Sequence, residues 1–176
     1  MKKLINMILG FMIFFLSCEK TDSITSTDES ADEQWLYTMT GEGLIIDAEA
    51  KTMTIVHADE NLIAFTDRPV RKTYLSTPQW LAAYWNRGDD SFQADPPNAE
   101  LSYYSSEGDI HVNLVLEMFS PSVNITQEPF HNPVPSSAEG PYIHFSFTYK
   151  LLGDYTVTSD TLNAFVSFFI DDAGFD

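Results

Sequence analysis

Tyr142-Ile143-His144-Phe145-Ser146-Phe147-Thr148-Tyr149 decides the fold class. Ile143, Phe145, Phe147 and Tyr149 fall on one side of an extended chain, and His144, Ser146 and Thr148 fall on the other, which is the period of a half-buried antiparallel strand. His111-Val112-Asn113-Leu114-Val115-Leu116-Glu117-Met118 repeats the pattern, with Val112, Leu114, Leu116 and Met118 facing one way. Working outward, further clusters of β-branched and aromatic residues, bounded by turn residues, predict strands over 35–40, 43–47, 52–57, 62–66, 101–105, 111–119, 142–151 and 163–170. About eight strands at this spacing predict an all-β, mostly antiparallel domain, either a β-sandwich or an open barrel.

One stretch departs from the strand pattern. Thr77-Pro78-Gln79-Trp80-Leu81-Ala82-Ala83-Tyr84-Trp85-Asn86 reads as a short helix, with Thr77 as N-cap, Pro78 in the first helical position and Gly88 able to end it. Trp80, Leu81, Tyr84 and Trp85 then form one broad aromatic stripe. The stripe is expected to pack on the sheet; the sharper alternative is that Trp80 and Tyr84 make an exposed platform for a sugar or a peptide.

The N-terminus carries an address. Lys2 and Lys3 precede an almost unbroken apolar run from Leu4 to Leu16, followed by Ser17 and Cys18. A positive start, an apolar stretch and a small residue before the cut are the parts of a secretory signal. The run is shorter than the roughly 20 apolar residues that cross a bilayer. The string Phe15-Leu16-Ser17-Cys18 resembles the lipobox of bacterial lipoprotein precursors, although Phe15 stands where leucine is commonest. The resemblance implies removal of residues 1–17 and lipidation of Cys18, the chain's one cysteine, which leaves none for a disulfide. Residues 19–34, EKTDSITSTDESADEQ, hold a single large apolar residue, Ile24, and predict a disordered acidic tether. In some Gram-negative groups an acidic stretch after the lipidated cysteine directs outward export, and Glu19 differs from the aspartate that marks inner-membrane retention. Both resemblances imply a lipid-anchored protein of the cell envelope at the outer membrane, in a leaflet the sequence leaves open.

Residues 35–176 make one domain, with 20 Asp and Glu against six Lys and Arg, a formal charge of −14. Nucleic acid needs clustered cations, so it is not an expected partner; solubility is the plain explanation of the acidity. His57, Asp59 and Glu60, Asp89 to Asp95, and Asp171 to Asp176 are acid clusters without the spacing of a calcium loop, so weak calcium binding is the most they predict. No metal site is assigned. The four histidines, His57, His111, His131 and His144, lack zinc-ligand spacing and are expected at exposed positions. No catalytic residue and no cofactor can be named: G-x-S-x-G, the P-loop and the dinucleotide fingerprint are all absent.

Residues 66–101, TDRPVRKTYLSTPQWLAAYWNRGDDSFQADPPNAEL, gather four of the domain's six cations, Arg68, Arg71, Lys72 and Arg87. The string Asp67-Arg68-Pro69-Val70-Arg71, the tryptophan-bearing helix and Asp90-Ser91-Phe92…Asp95-Pro96-Pro97-Asn98-Ala99 resemble a segment shared by an uncharacterised group of bacterial exported or membrane-associated proteins. That resemblance implies no activity. Two readings stand. Either Arg68 and Arg71 pair with Asp90 or Asp95 and pin the segment to the sheet, or Arg68, Arg71, Trp80, Tyr84, Asp90 and Asp95 line a ligand site. The function predicted is a binding or interaction module for an unknown protein or small molecule. The alternative is an envelope hydrolase or metal-dependent enzyme that uses clustered carboxylates.

Overall fold

In the computed structural model, residues 35–66, 71–89, 91–104, 111–127 and 141–171 are described. The segments expected to be a signal peptide and a tether, and Cys18 between them, lie outside the described residues. The described residues form ten antiparallel strands and one short helix. The strands are β1 (Leu36–Gly41), β2 (Gly43–Asp47), β3 (Thr52–Ala58), β4 (Leu62–Thr66), β5 (Lys72–Ser76), β6 (Asn98–Tyr104), β7 (His111–Thr126), β8 (Tyr142–Leu151), β9 (Asp160–Leu162) and β10 (Val166–Asp171). The helix α1 is Pro78–Tyr84, with the Thr77 hydroxyl accepting from the Trp80 amide at 3.1 Å. The all-β expectation holds, and the helix is two residues shorter at its far end than the sequence predicts.

The strand order is β5-β4-β1-β10-β6-β7-β8-β3-β2-β9. β1 and β2 stand far apart in that order, yet Glu42 alone separates them in the chain. The sheet must therefore curl until the two places meet. Two backbone hydrogen bonds mark the meeting: Glu42 N donates to Val56 O, and Asp59 N to Thr40 O, each at 3.0 Å. The result is a barrel-like ring of β1/β2, β10, β6, β7, β8 and β3. The β4–β5 hairpin extends it at one edge and the short β9 at the other.

Two bulges supply curvature. In β3 the register against β8 shifts between Ile55 and Ala58, where His57 takes φ 49°. In β7 it shifts between Phe119 and Ser122, where Ser120 takes φ 46°. The sequence stops the β7 strand at Ser120-Pro121, since proline cannot donate to a ladder. A bulge admits it, and the strand runs on to Thr126.

The interior of the ring is filled by side chains. Phe147 and Phe168 stack at 4.8 Å, Phe145 packs beside both, and Leu44, Ile55, Leu101, Leu116 and Met118 are fully buried around them. Each such side chain contributes roughly 1.5–3 kcal/mol by leaving water. Ile143, Phe145, Phe147 and Tyr149 face inward, as their alternation predicts. His144, on the opposite face of the same strand, is 1% exposed, and His57 is also buried. The expectation of exposed histidines is thus corrected at both positions, because the β3 bulge turns His57 over β8 beside His144.

Gly41 sits at the crossing. A Cβ built there would lie 2.4 Å from Ile55 Cγ2 and 3.0 Å from Val56 O. Gly41→Ala is therefore expected to force β1 off β3 and to lower stability by roughly 1–3 kcal/mol, the usual cost of overpacking. Urea unfolding of the chain from Glu19 on checks this.

Candidate functional site

The β4–β5 hairpin and α1 build the most exposed apolar surface among the described residues. β4 pairs with β1 on one side, and β5 pairs with β4. Leu62, Ala64 and Thr66 turn one way and are buried; Ile63 turns the other way and is exposed. Across the hairpin, Tyr74 pairs with Ala64 and Leu75 with Ile63. Tyr74 is 56% exposed and Leu75 72%. The hairpin therefore shows apolar side chains on both faces.

On the Tyr74 face aromatic rings run from the surface into the core. Trp35 lies 5.4 Å from Tyr74, Tyr37 packs edge-on against Phe92 at 6.0 Å and beside Trp80, and Trp80 stacks on Tyr84 at 4.8 Å with an interplanar angle of 12°. The helix divides its own stripe. Leu81 and Trp85, four residues apart, are buried, with Trp85 against Phe92; Trp80 and Tyr84, also four apart, are each about two-fifths exposed. Leu81 and Trp85 pack as the stripe predicts, and Trp80 and Tyr84 are the half that stays exposed.

Of the residues the sequence singles out, Trp80 and Tyr84 come together. Arg71 is exposed immediately before β5, and Asp95 is exposed in a turn whose Ala94 and Asp95 amides both donate to Ser91 O. Neither Arg71 nor Asp95 makes a salt bridge among the described residues. Arg68, Asp90 and Cys18 lie outside the described residues. Trp35 and Tyr74 join the surface with no motif to announce them, while Tyr37 and Phe92, the latter within the Asp90-Ser91-Phe92 string, lie buried beneath it.

A second cluster lies on the seam. His57 Nδ1 is 3.2 Å from Glu42 Oε2, the His57 ring lies 4.7 Å from Tyr142 and 5.5 Å from His144, and His144 Nε2 is 3.1 Å from Thr126 Oγ1. His57 Nε2 is buried and has no hydrogen-bond partner among the described residues. Burial lowers the His144 pKa from the ordinary histidine value, and the charge of His57 lowers it further. At the far end of the ring, burial raises the pKa of Tyr103 and Tyr149, with Asp160 adding to the first and Asp47 to the second. Among the described residues no group of three His, Cys, Asp or Glu side chains is arranged to hold a metal ion.

No family model, no curated protein and no solved structure matches the chain.

Two outcomes follow from this geometry. Leu81→Ala is expected to cost about 2–5 kcal/mol by leaving a cavity under α1, whereas Trp80→Ala costs clearly less because much of that ring already meets water; urea unfolding compares them. The second concerns pH. The unfolded chain takes up a proton at His144 near the ordinary value of 6.5, while the folded chain holds that imidazole neutral to lower pH. The unfolded state then binds more protons, so stability is complete above 6.5 and falls as pH drops below it. Melts of the wild type and of His144→Gln between neutral and mildly acidic pH check this, the variant showing the shallower slope.

Proposed function

We propose that the chain is a lipid-anchored protein of the bacterial cell envelope whose β domain is a binding module. The observation that carries the binding part is the exposed aromatic surface of the β4–β5 hairpin and α1. Monomeric soluble proteins rarely leave large contiguous apolar patches in water, and those they do leave mark interaction sites. The acidity of the rest of the domain concentrates binding there, since the cations Arg71, Lys72 and Arg87 fall in this same segment.

The anchoring part rests on the sequence from Lys2 to Cys18. A processed lipoprotein cysteine carries more than one acyl chain, which suffices for stable attachment, and the tether of residues 19–34 then separates the domain from the lipid. Reach and orientation would come from the tether, recognition from the hairpin and helix, and rigidity from the ring.

Cys18→Ala is expected to release the protein from the membrane fraction and abolish incorporation of labelled fatty acid. A variant that stays membrane-bound and labelled overturns the anchor. Trp80→Ala and Tyr84→Ala do not touch the anchor and leave fractionation unchanged.

A further inference from the structure

We propose that the free edge of β5 is a strand-addition site for an extended peptide segment of a partner protein, with a cationic N-terminal end and a carboxylate at its C-terminal end. This rests on the binding-module reading above and names its occupant.

β5 ends the sheet. Among the described residues nothing pairs with its outer edge, and Thr73, Tyr74 and Leu75 are exposed in succession. Such an edge is a template for another chain, and proteins normally blunt it with very short strands, charges or bulges. The opposite end of the sheet is blunted: β9 has three residues and opens with Asp160. β5 has five residues, no bulge against β4, and large apolar side chains at its centre.

The two faces of the hairpin decide which occupant fits. A strand laid along β5 would point alternate side chains to opposite faces. One set would meet Tyr74, with Trp35 behind it; the other would meet Leu75 and Ile63. A sugar stacking on aromatic rings would use one face only. A lipid surface would leave the backbone groups of the edge without partners in an apolar medium, at a cost of several kcal/mol each. A second copy of the chain would bring two domains of formal charge −14 together.

Charge sets direction. Every strand pair in the sheet is antiparallel, so an added strand continuing the pattern runs against β5. Its C-terminal end then lies by the exposed Arg71. Its N-terminal end lies by Ser76, which pairs with Leu62, close in the chain to the exposed Glu60. A carboxylate suits the first end and a cation the second.

The test uses the chain from Glu19 on, which contains the whole compact unit Ala31–Asp176. The probe is the peptide Lys-Thr-Val-Thr-Val-Thr-Asp, capped at both ends, and the control is the same peptide in reverse order. At millimolar peptide, amide hydrogen exchange over Lys72–Ser76 is expected to slow about tenfold with the probe and less with the control, with β9 unchanged. Arg71→Glu, a substitution of an exposed side chain, should remove the difference between the two peptides. Absence of protection by either peptide overturns the proposal. Protection without peptide, rising with protein concentration alongside a dimer in sedimentation, assigns the edge to a second copy instead. Binding to phosphatidylglycerol vesicles without peptide protection assigns the surface to lipid. Loss of anchoring in the Cys18→Ala experiment is read separately and leaves these results standing.

Discussion

The close approach of Gly41 to β3 is the constraint on which the rest of the structure depends. A continuous stretch of chain, interrupted only at Glu42, serves two distant places in one sheet, as β1 and then as β2. It can do so only if the sheet rolls up, and the roll closes where the chain passes over Ile55 and Val56. Any side chain at Gly41 would occupy space already filled by Ile55 Cγ2 and Val56 O. Closure then sets the interior, which the Phe145, Phe147 and Phe168 rings fill together with Leu44, Ile55, Leu101, Leu116 and Met118.

The seam also explains why polar groups are buried on the outside of the ring. A bulge in β3 turns His57 toward Glu42 and sets its ring beside Tyr142 and His144. Burying imidazoles costs free energy unless they stay neutral and find partners; His144 has Thr126, and His57 has Glu42. The hydrogen bond from Glu42 N to Val56 O and the contact of its carboxylate with His57 fasten the same junction twice, once through backbone and once through side chain. Barrel closure and the burial of His144 therefore meet at one seam.

Most of the sheet was legible because its strands are half buried. Period-two alternation in Leu114, Leu116 and Met118, and in Phe145, Phe147 and Tyr149, carries directly into inward-facing side chains. What escaped had no such alternation to show. β5 is exposed on both faces, so Lys72-Thr73-Tyr74-Leu75-Ser76 reads as part of an irregular charged segment. β9 is too short to carry a period. His57 and His144 occupy positions that local pattern assigns to solvent, and only the long-range pairing of β3 with β8 buries them. Of the surface site, Trp80 and Tyr84 were visible from helical spacing. Tyr74 and Trp35 were not, because strand pairing rather than sequence neighbourhood brings them together.

Polarity is distributed unevenly over the fold, and that unevenness connects architecture to recognition. Three of the four cations in the segment 66–101 flank the exposed aromatic surface in sequence, Arg71 and Lys72 before Tyr74 and Arg87 after Tyr84, while acids dominate elsewhere. Long-range repulsion from the acidic remainder discourages indiscriminate association, and a bare edge alone would invite it. A domain that combines both can leave one strand unpaired in water at low risk of self-assembly. The same logic accounts for the asymmetry between the two ends of the sheet. β9, with acids at Asp154 and Asp160 near it in the chain and only three residues to offer, gives a partner little to pair with. β5 keeps a full strand's length of backbone and apolar contacts on both sides of it. An edge of that kind costs exposed apolar area in the free protein, and among the described residues nothing covers it.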